Sequence, residues 1–192
     1  MISPNQDSKR RQIIEAARVL LARDGLAGCT ARAIADASPL TKSAIHYYFD
    51  DIDEIIDLAM TAHVNATLGA LREVARRHSD PGQQLRAVVQ AYLDTFADKP
   101  YAAFLWFEYW IAAGRRETTD TVDRMLGDVR TLLAGLLADA GADNPGQTAR
   151  TLLSWLLGSV VQQHIHPLPA AAIQAEIDRF ITSLVVPSRR AD

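Results

Sequence analysis

The 192-residue chain predicts an all-α protein on three observations. Its long segments repeat their apolar residues at helical spacing. None alternates apolar and polar residues between hairpin turns, as half-buried strands do. Capping residues and Pro- or Gly-containing breaks separate the periodic runs. With 48% hydrophobic and 22% charged residues, the composition is that of an ordinary globular protein and excludes disordered and fibrous classes.

From about Lys9 to Asp24, the residues Ile13, Ala17, Leu20 and Leu21 fall on one stripe, and Gly25 is placed as the left-handed residue that ends this helix. Thr30 is an N-cap for a short helix to about Ala37. Ser38, Pro39 and Leu40 interrupt, and Thr41 caps a second short helix reaching about Tyr48. The acidic string Asp50, Asp51, Asp53, Glu54 suits the positive end of a helix dipole, and the pattern continues through Ile55, Leu58, Ala59 and Ala62 to about His78. Asp80, Pro81 and Gly82 break the chain before an apolar face at Leu85, Val88, Val89, Tyr92, Leu93 and Phe96. Pro100 restarts it, and the aromatic-rich run Tyr101 to Ala113 is followed by a loop at Gly114. Val122, Met125, Leu126, Val129, Leu133 and Leu137 mark a helix ending before Gly141. Asn144 and Pro145 open the next in the favoured order of cap and then Pro. The last helix carries Ile173, Ile177, Phe180, Ile181 and Leu184.

Charge narrows the function classes. The net charge is −3, yet residues 1–50 carry +2 and the remainder −5, so what base there is concentrates at one end. Cys29 has no second cysteine to pair with, and its setting is that of a small core residue rather than a reactive thiol. No apolar run approaches membrane-span length, and the polar start lacks a signal-peptide core. The expectation is a cytoplasmic protein without membrane contact.

The stretches Ile13-Ile14-Glu15-Ala16-Ala17, Gly25-Leu26, Cys29-Thr30-Ala31-Arg32-Ala33-Ile34-Ala35 and Ile45-His46-Tyr47-Tyr48-Phe49 resemble the DNA-binding domain of TetR-type repressors. The likeness runs without internal gaps from Arg10 to Met60, about a quarter of the chain. It implies a helix-turn-helix in which the second short helix enters the major groove of an operator. Ile34, Ala35, Ile45, Tyr48 and Phe49 then form the buried seam. Lys42 is placed for a base edge or a phosphate, and Ser43 and Ala44 are short enough for close approach, Ala against a thymine methyl. By resemblance Arg32 reaches a guanine or a phosphate, and His46 and Tyr47 are aromatic phosphate contacts. The Thr30 and Thr41 hydroxyls suit phosphates as well as caps. Three residues depart from the family pattern: Pro39 stands for the usual turn Gly, His46 for Tyr, and Ile52 for a phosphate-anchoring Lys. They put affinity, not fold, in doubt. With so few basic contacts the expected binding is strongly salt-dependent, and a His46 contact improves on protonation.

The sequence divides into a helix-turn-helix DNA-binding domain over residues 1–50 and a larger helical ligand-binding and dimerisation domain over residues 51–192. Candidate effector-lining residues are Tyr92, Phe96, Trp106, Phe107, Trp110 and Met125, with His63 and Gln162 as polar handles. An ordinary aromatic core satisfies the same spacing. Phe104 to Trp110 is similar to the corresponding helix of choline-responsive betaine-pathway repressors, which implies a cage for an amine with Glu108 among the rings. The penultimate helix is apolar on more than one face, so it must be buried on both sides. Leu152, Trp155, Leu156 and Ser159, with Ile173, Ile177, Phe180 and Ile181, are the expected homodimer interface, a four-helix contact, the alternative being that these helices complete a monomeric core.

Other classes fit less well. The string Asp50-Asp51-Ile52-Asp53-Glu54 is similar to Mg²⁺-binding motifs of all-α prenyl-transfer enzymes, but the chain is short and no second acidic motif faces it. His164 and His166 do not share a helix face and lack a Cys cluster, so no metal, cofactor or catalytic residue is expected. A helical ligand-binding protein with weak or lost DNA binding is the remaining alternative.

Overall fold

A computed structural model describes residues 4–97 and 102–185; Pro100 and Tyr101 lie outside them. The regular elements of the described chain are all helices: α1 Pro4–Gly28, α2 Ala31–Asp36, α3 Lys42–Tyr48, α4 Ile52–Arg76, α5 Pro81–Ala97, α6 Ala102–Arg115, α7 Asp120–Asp139, α8 Pro145–Ile165 and α9 Ala170–Val185. None of these helices is long and apolar enough to cross a membrane.

The helix ends follow from local chemistry. Thr30 Oγ1 accepts from the Ala33 N–H and Thr41 Oγ1 from the Ala44 N–H, each at 3.2 Å. Asn144 caps α8 by accepting from the Gln147 N–H at 3.4 Å, with Pro145 at the first helical position. Gly141 (φ +88°) ends α7, where the Ala142 N–H reaches back to the Leu137 carbonyl at 2.9 Å. Gly25 has the expected positive φ of 74°, but its ψ of −173° is extended rather than left-handed helical. That conformation is open only to glycine, and it breaks the helical run at the expected position, with the short segment beyond it continuing α1 across a kink. The α2–α3 turn contains no positive φ, so Pro39 sits there without strain.

The chain forms two compact units. The first takes in the chain as far as Thr67 together with Phe104–Val122; the second takes in Leu68–Ala103 and the chain from Asp123 onward. This division differs from one at residue 50. Ile55, Ile56, Ala59 and Met60 of α4 and Leu105, Tyr109 and Ala113 of α6 are buried residues of the first unit, alongside Ile13, Leu20, Leu21, Ile34, Ile45 and Phe49.

The second unit has one core, drawn from Leu71 and Ala75 of α4, Leu85, Val88, Val89 and Leu93 of α5, Leu133, Leu136 and Leu137 of α7, five residues of α8, and Ile177 and Ile181 of α9. Leu152, Leu156, Ile177 and Ile181, expected at a subunit interface, are 0–3% exposed in the single chain. They line the face of α8 and α9 that closes on α5, so they are core rather than interface. Leu152→Ala should therefore destabilise the protomer by about 2–5 kcal/mol, read as a lower denaturation midpoint at every protein concentration.

Cys29 is 3% exposed, with its sulfur 3.9 Å from the Ala17 carbonyl oxygen. Burial pushes its thiol up to about 11. The neutral thiol thus favours the folded state below pH about 9, and that contribution is lost as pH rises through about 11. A thiol reagent at pH 8 should label Cys29 only after denaturant is added.

Candidate nucleic-acid interface

α2 and α3 form a two-helix corner on α1. Its buried seam is Ile34, Ile45 and Phe49, with Ala35 and Tyr48 half-buried. The opposite side leaves Thr30, Arg32, Thr41, Lys42, Ser43, His46 and Tyr47 exposed, Tyr47 by 72%, and Ala44 half-buried. These eight candidate residues therefore occur on one continuous segment of the corner. Tyr47 stands edge-on against Tyr48, with ring centroids 5.0 Å apart.

Charge pairing separates two of these residues from the arginines of α1. Arg10 pairs with Glu54 at 2.7 Å, Arg11 with Asp7 at 3.1 Å, Arg18 with Glu15 at 2.6 Å and Arg23 with Asp24 at 2.6 Å. The hydrogen bond from Arg18 holds the Glu15 carboxyl below its usual range. Arg32 and Lys42 have no carboxylate partner among the described residues. Cations left unpaired at the starts of two short helices keep their full charge available to phosphate.

Several acids after α3 have partners within the fold. Asp51 Oδ1 accepts from the Asp53 N–H at 3.1 Å, Asp53 pairs with Arg116 at 2.8 Å, and Asp57 accepts from the Tyr109 hydroxyl at 2.9 Å and from Arg116 at 3.2 Å. Burial works against the Arg116 charge, but the hydrogen bond to Asp53 and the field of Asp57 outweigh it and raise its pKa. Of the acidic string, Asp53 is paired with Arg116 and Glu54 with Arg10, so two of its four carboxylates already have cationic partners within the fold. Ile52 is half-buried at the first position of α4, so the missing Lys anchor is replaced by a packed side chain.

The candidate effector residues fall in both units. In the first, Trp106 and Phe107 are half-buried, as is His63, which is engaged by a neighbour. In the second, Tyr92 and Phe96 meet edge to face at 5.1 Å, burial pushes the Tyr92 hydroxyl up to about 12, and Met125 is buried. Two expectations are corrected: Trp110 is 49% exposed and Gln162 is exposed. The inward stripe of α6 runs through Leu105, Tyr109 and Ala113, which turns Trp110 outward; Gln162 lies two residues past buried Val160, on the far side of α8. Glu108 is exposed, and its Oε2 accepts from the Leu26 N–H at 3.2 Å beside the Gly25 kink. The sequence contains no local signal for that contact, which spans 82 positions. An open groove of about 560 Å³ between α1 and the α2–α3 turn, floored by Ala16 and Ser38, includes none of the candidate effector residues.

Comparison with known proteins agrees with this architecture. Residues 13–59 match the family described as bacterial regulatory proteins, tetR family, and residues 80–186 match the tetracyclin repressor-like C-terminal domain. The HTH-type transcriptional regulator BetI of Paraburkholderia xenovorans is 27% identical over 153 residues, covering 79% of this chain and 77% of that one. A transcriptional regulator from Pseudomonas aeruginosa PAO1 superposes with a TM-score of 0.74 at 21% identity, over 94% of this chain and 92% of its own. The multidrug binding protein EbrR, complexed with imidazole, superposes with a TM-score of 0.70 at 23% identity, over 95% and 98%. With an exposed, cation-bearing two-helix corner and family matches that together span most of its length, the chain belongs to the TetR family of helix-turn-helix transcriptional regulators.

Proposed function

We propose that the protein is a dimeric cytoplasmic repressor that holds a near-palindromic operator through α3 and leaves it when a small-molecule effector binds. The unpaired cations Arg32 and Lys42, on a corner whose neighbouring arginines are neutralised, carry this reading. Thr30, Arg32, Thr41, Lys42, Ser43, Ala44, His46 and Tyr47 are the DNA-facing set. Ser43 and Ala44 meet base edges at the start of α3, while Lys42, the threonine hydroxyls, His46 and Tyr47 meet phosphates.

The effector is an apolar or aromatic small molecule. Tyr92, Phe96 and Met125, all of the second unit, are its candidate contacts. An effector that prefers the conformation with mismatched recognition helices weakens operator binding by its differential affinity, about 1–3 kcal/mol.

The second copy docks on the outward side of α8 and α9. There Trp155 stacks on Phe180 at 4.7 Å, and both stay half-exposed along with Ser159 and Ile173. Gly158 supports this placement: a Cβ there would meet nothing within 4 Å, and Ile165, two turns further along the same face, is 59% exposed. An isologous contact across this face sets two α3 helices at one half-site spacing.

Selection of bound duplexes from random DNA tests the operator reading. An inverted repeat should be enriched, and its affinity should fall steeply with salt. Lys42→Ala should make the log-log salt slope shallower by about 1; no enrichment, or a slope unchanged in the variant, would refute the role of the corner. For the dimer, the wild type should scatter light as twice its 21.1-kDa chain mass. Gly158→Arg should scatter as a monomer with undiminished helicity, since removing a mid-helix Gly favours the helix by up to about 1 kcal/mol.

A further inference from the structure

We infer that Arg10, on α1 and outside the DNA-facing set, is a positioning residue that clasps the end of the recognition helix and sets its register for reading sequence. α3 has seven residues and no glycine at its end; Phe49 leaves it in extended conformation at φ −140°, ψ 129°. The Phe49 N–H returns to the Ile45 carbonyl at 3.0 Å, and the later carbonyls have no helical donor. Arg10 supplies one. Its Nη1 donates to the Tyr48 carbonyl, the last of the helix. Its Nη2 meets Glu54 Oε1 at 2.7 Å in the first turn of α4, and its guanidinium carbon lies 3.9 Å from the centroid of the Phe49 ring.

One planar group therefore joins three elements: the final carbonyl of α3, the ring of its cap residue and the start of α4. A cation at a helix C-terminus is favoured by the dipole, and only a guanidinium has the fork and the flat face that these three contacts use together. The side chain is 24% exposed, against 73% for the neighbouring Arg11, and its charge is spent inside the protein. Removing it subtracts no phosphate contact. It frees the far end of α3, and base-edge hydrogen bonds depend on that helix's position far more than phosphate contacts do.

The test compares wild type, Arg10→Lys, Arg10→Ala and Glu54→Gln on the selected operator and on a scrambled duplex across a salt series. Arg10→Lys and Arg10→Ala should lose about tenfold or more in operator affinity, the cost of roughly one misread base pair. Glu54→Gln should lose less in the same direction. Affinity for the scrambled duplex and the salt slope should stay at wild-type values. A merely structural role would lower the folded fraction and weaken both duplexes alike, so an unchanged specificity ratio overturns the inference. So does a parallel loss with a shallower slope, which would make Arg10 a phosphate contact. Should Arg10→Ala fail to fold, the ratio for Arg10→Lys decides. The inference rests on the operator reading, and the outcomes separate the two. A wild type indifferent to sequence sinks that reading and this one with it, whereas a selective wild type matched by an equally selective Arg10→Lys removes Arg10 alone.

Discussion

Helices of six and seven residues do not persist alone in water, because the cost of nucleation is not recovered over so few hydrogen bonds. α2 and α3 exist because Ile34, Ile45 and Phe49 are buried, at 0–2% exposure, within a unit that α1 anchors with Ile13, Ala17, Leu20 and Leu21. Each short helix is then closed at its start by a threonine hydroxyl. The exposed side of the corner is the remainder after that burial. Its side chains are free to meet a duplex because the other face is fully used.

The electrostatics follow the same economy. A chain of net charge −3 has little base to spare for a polyanion, and most arginines of the first unit are neutralised by carboxylates within the fold. Two of the cations that remain stand at helix starts, and Asp53 and Asp57 after α3 are engaged by Arg116 and Tyr109. Affinity in such a design comes from a few contacts in fixed positions, so the parts that hold the corner rigid matter as much as the parts that touch DNA.

The aromatic helix α6 changes meaning in three dimensions. From its composition it belongs to the sensing part of the molecule; by packing it belongs with the DNA-reading unit. Glu108 meets the backbone of α1 just after its kink, and Tyr109 and Arg116 hold the first turns of α4. Helix α4 contributes to both units, to the first as far as Thr67 and to the second beyond it.

Much was legible from one dimension. Periodicity, caps and breaks are local properties, and so the helices, the Thr30, Thr41 and Asn144 caps, the Gly141 stop and the exposed set from Thr30 to Tyr47 could be read directly from residue order. The turn containing Pro39 was legible as a turn but not as an unstrained one, since that depends on the φ values of its neighbours. Which apolar face of α8 closes on the protomer and which stays outside was not legible at all: Leu152 and Trp155 look alike in a string, yet one is fully buried and the other half-open. Residue order alone determined where helices form, because backbone hydrogen bonding and capping act over four residues. The choice of neighbour for each face, and the partners of Arg10, Glu108 and Arg116 across 38 to 82 positions, were decided only when the helices packed, because burial and charge pairing act through space and not along the chain.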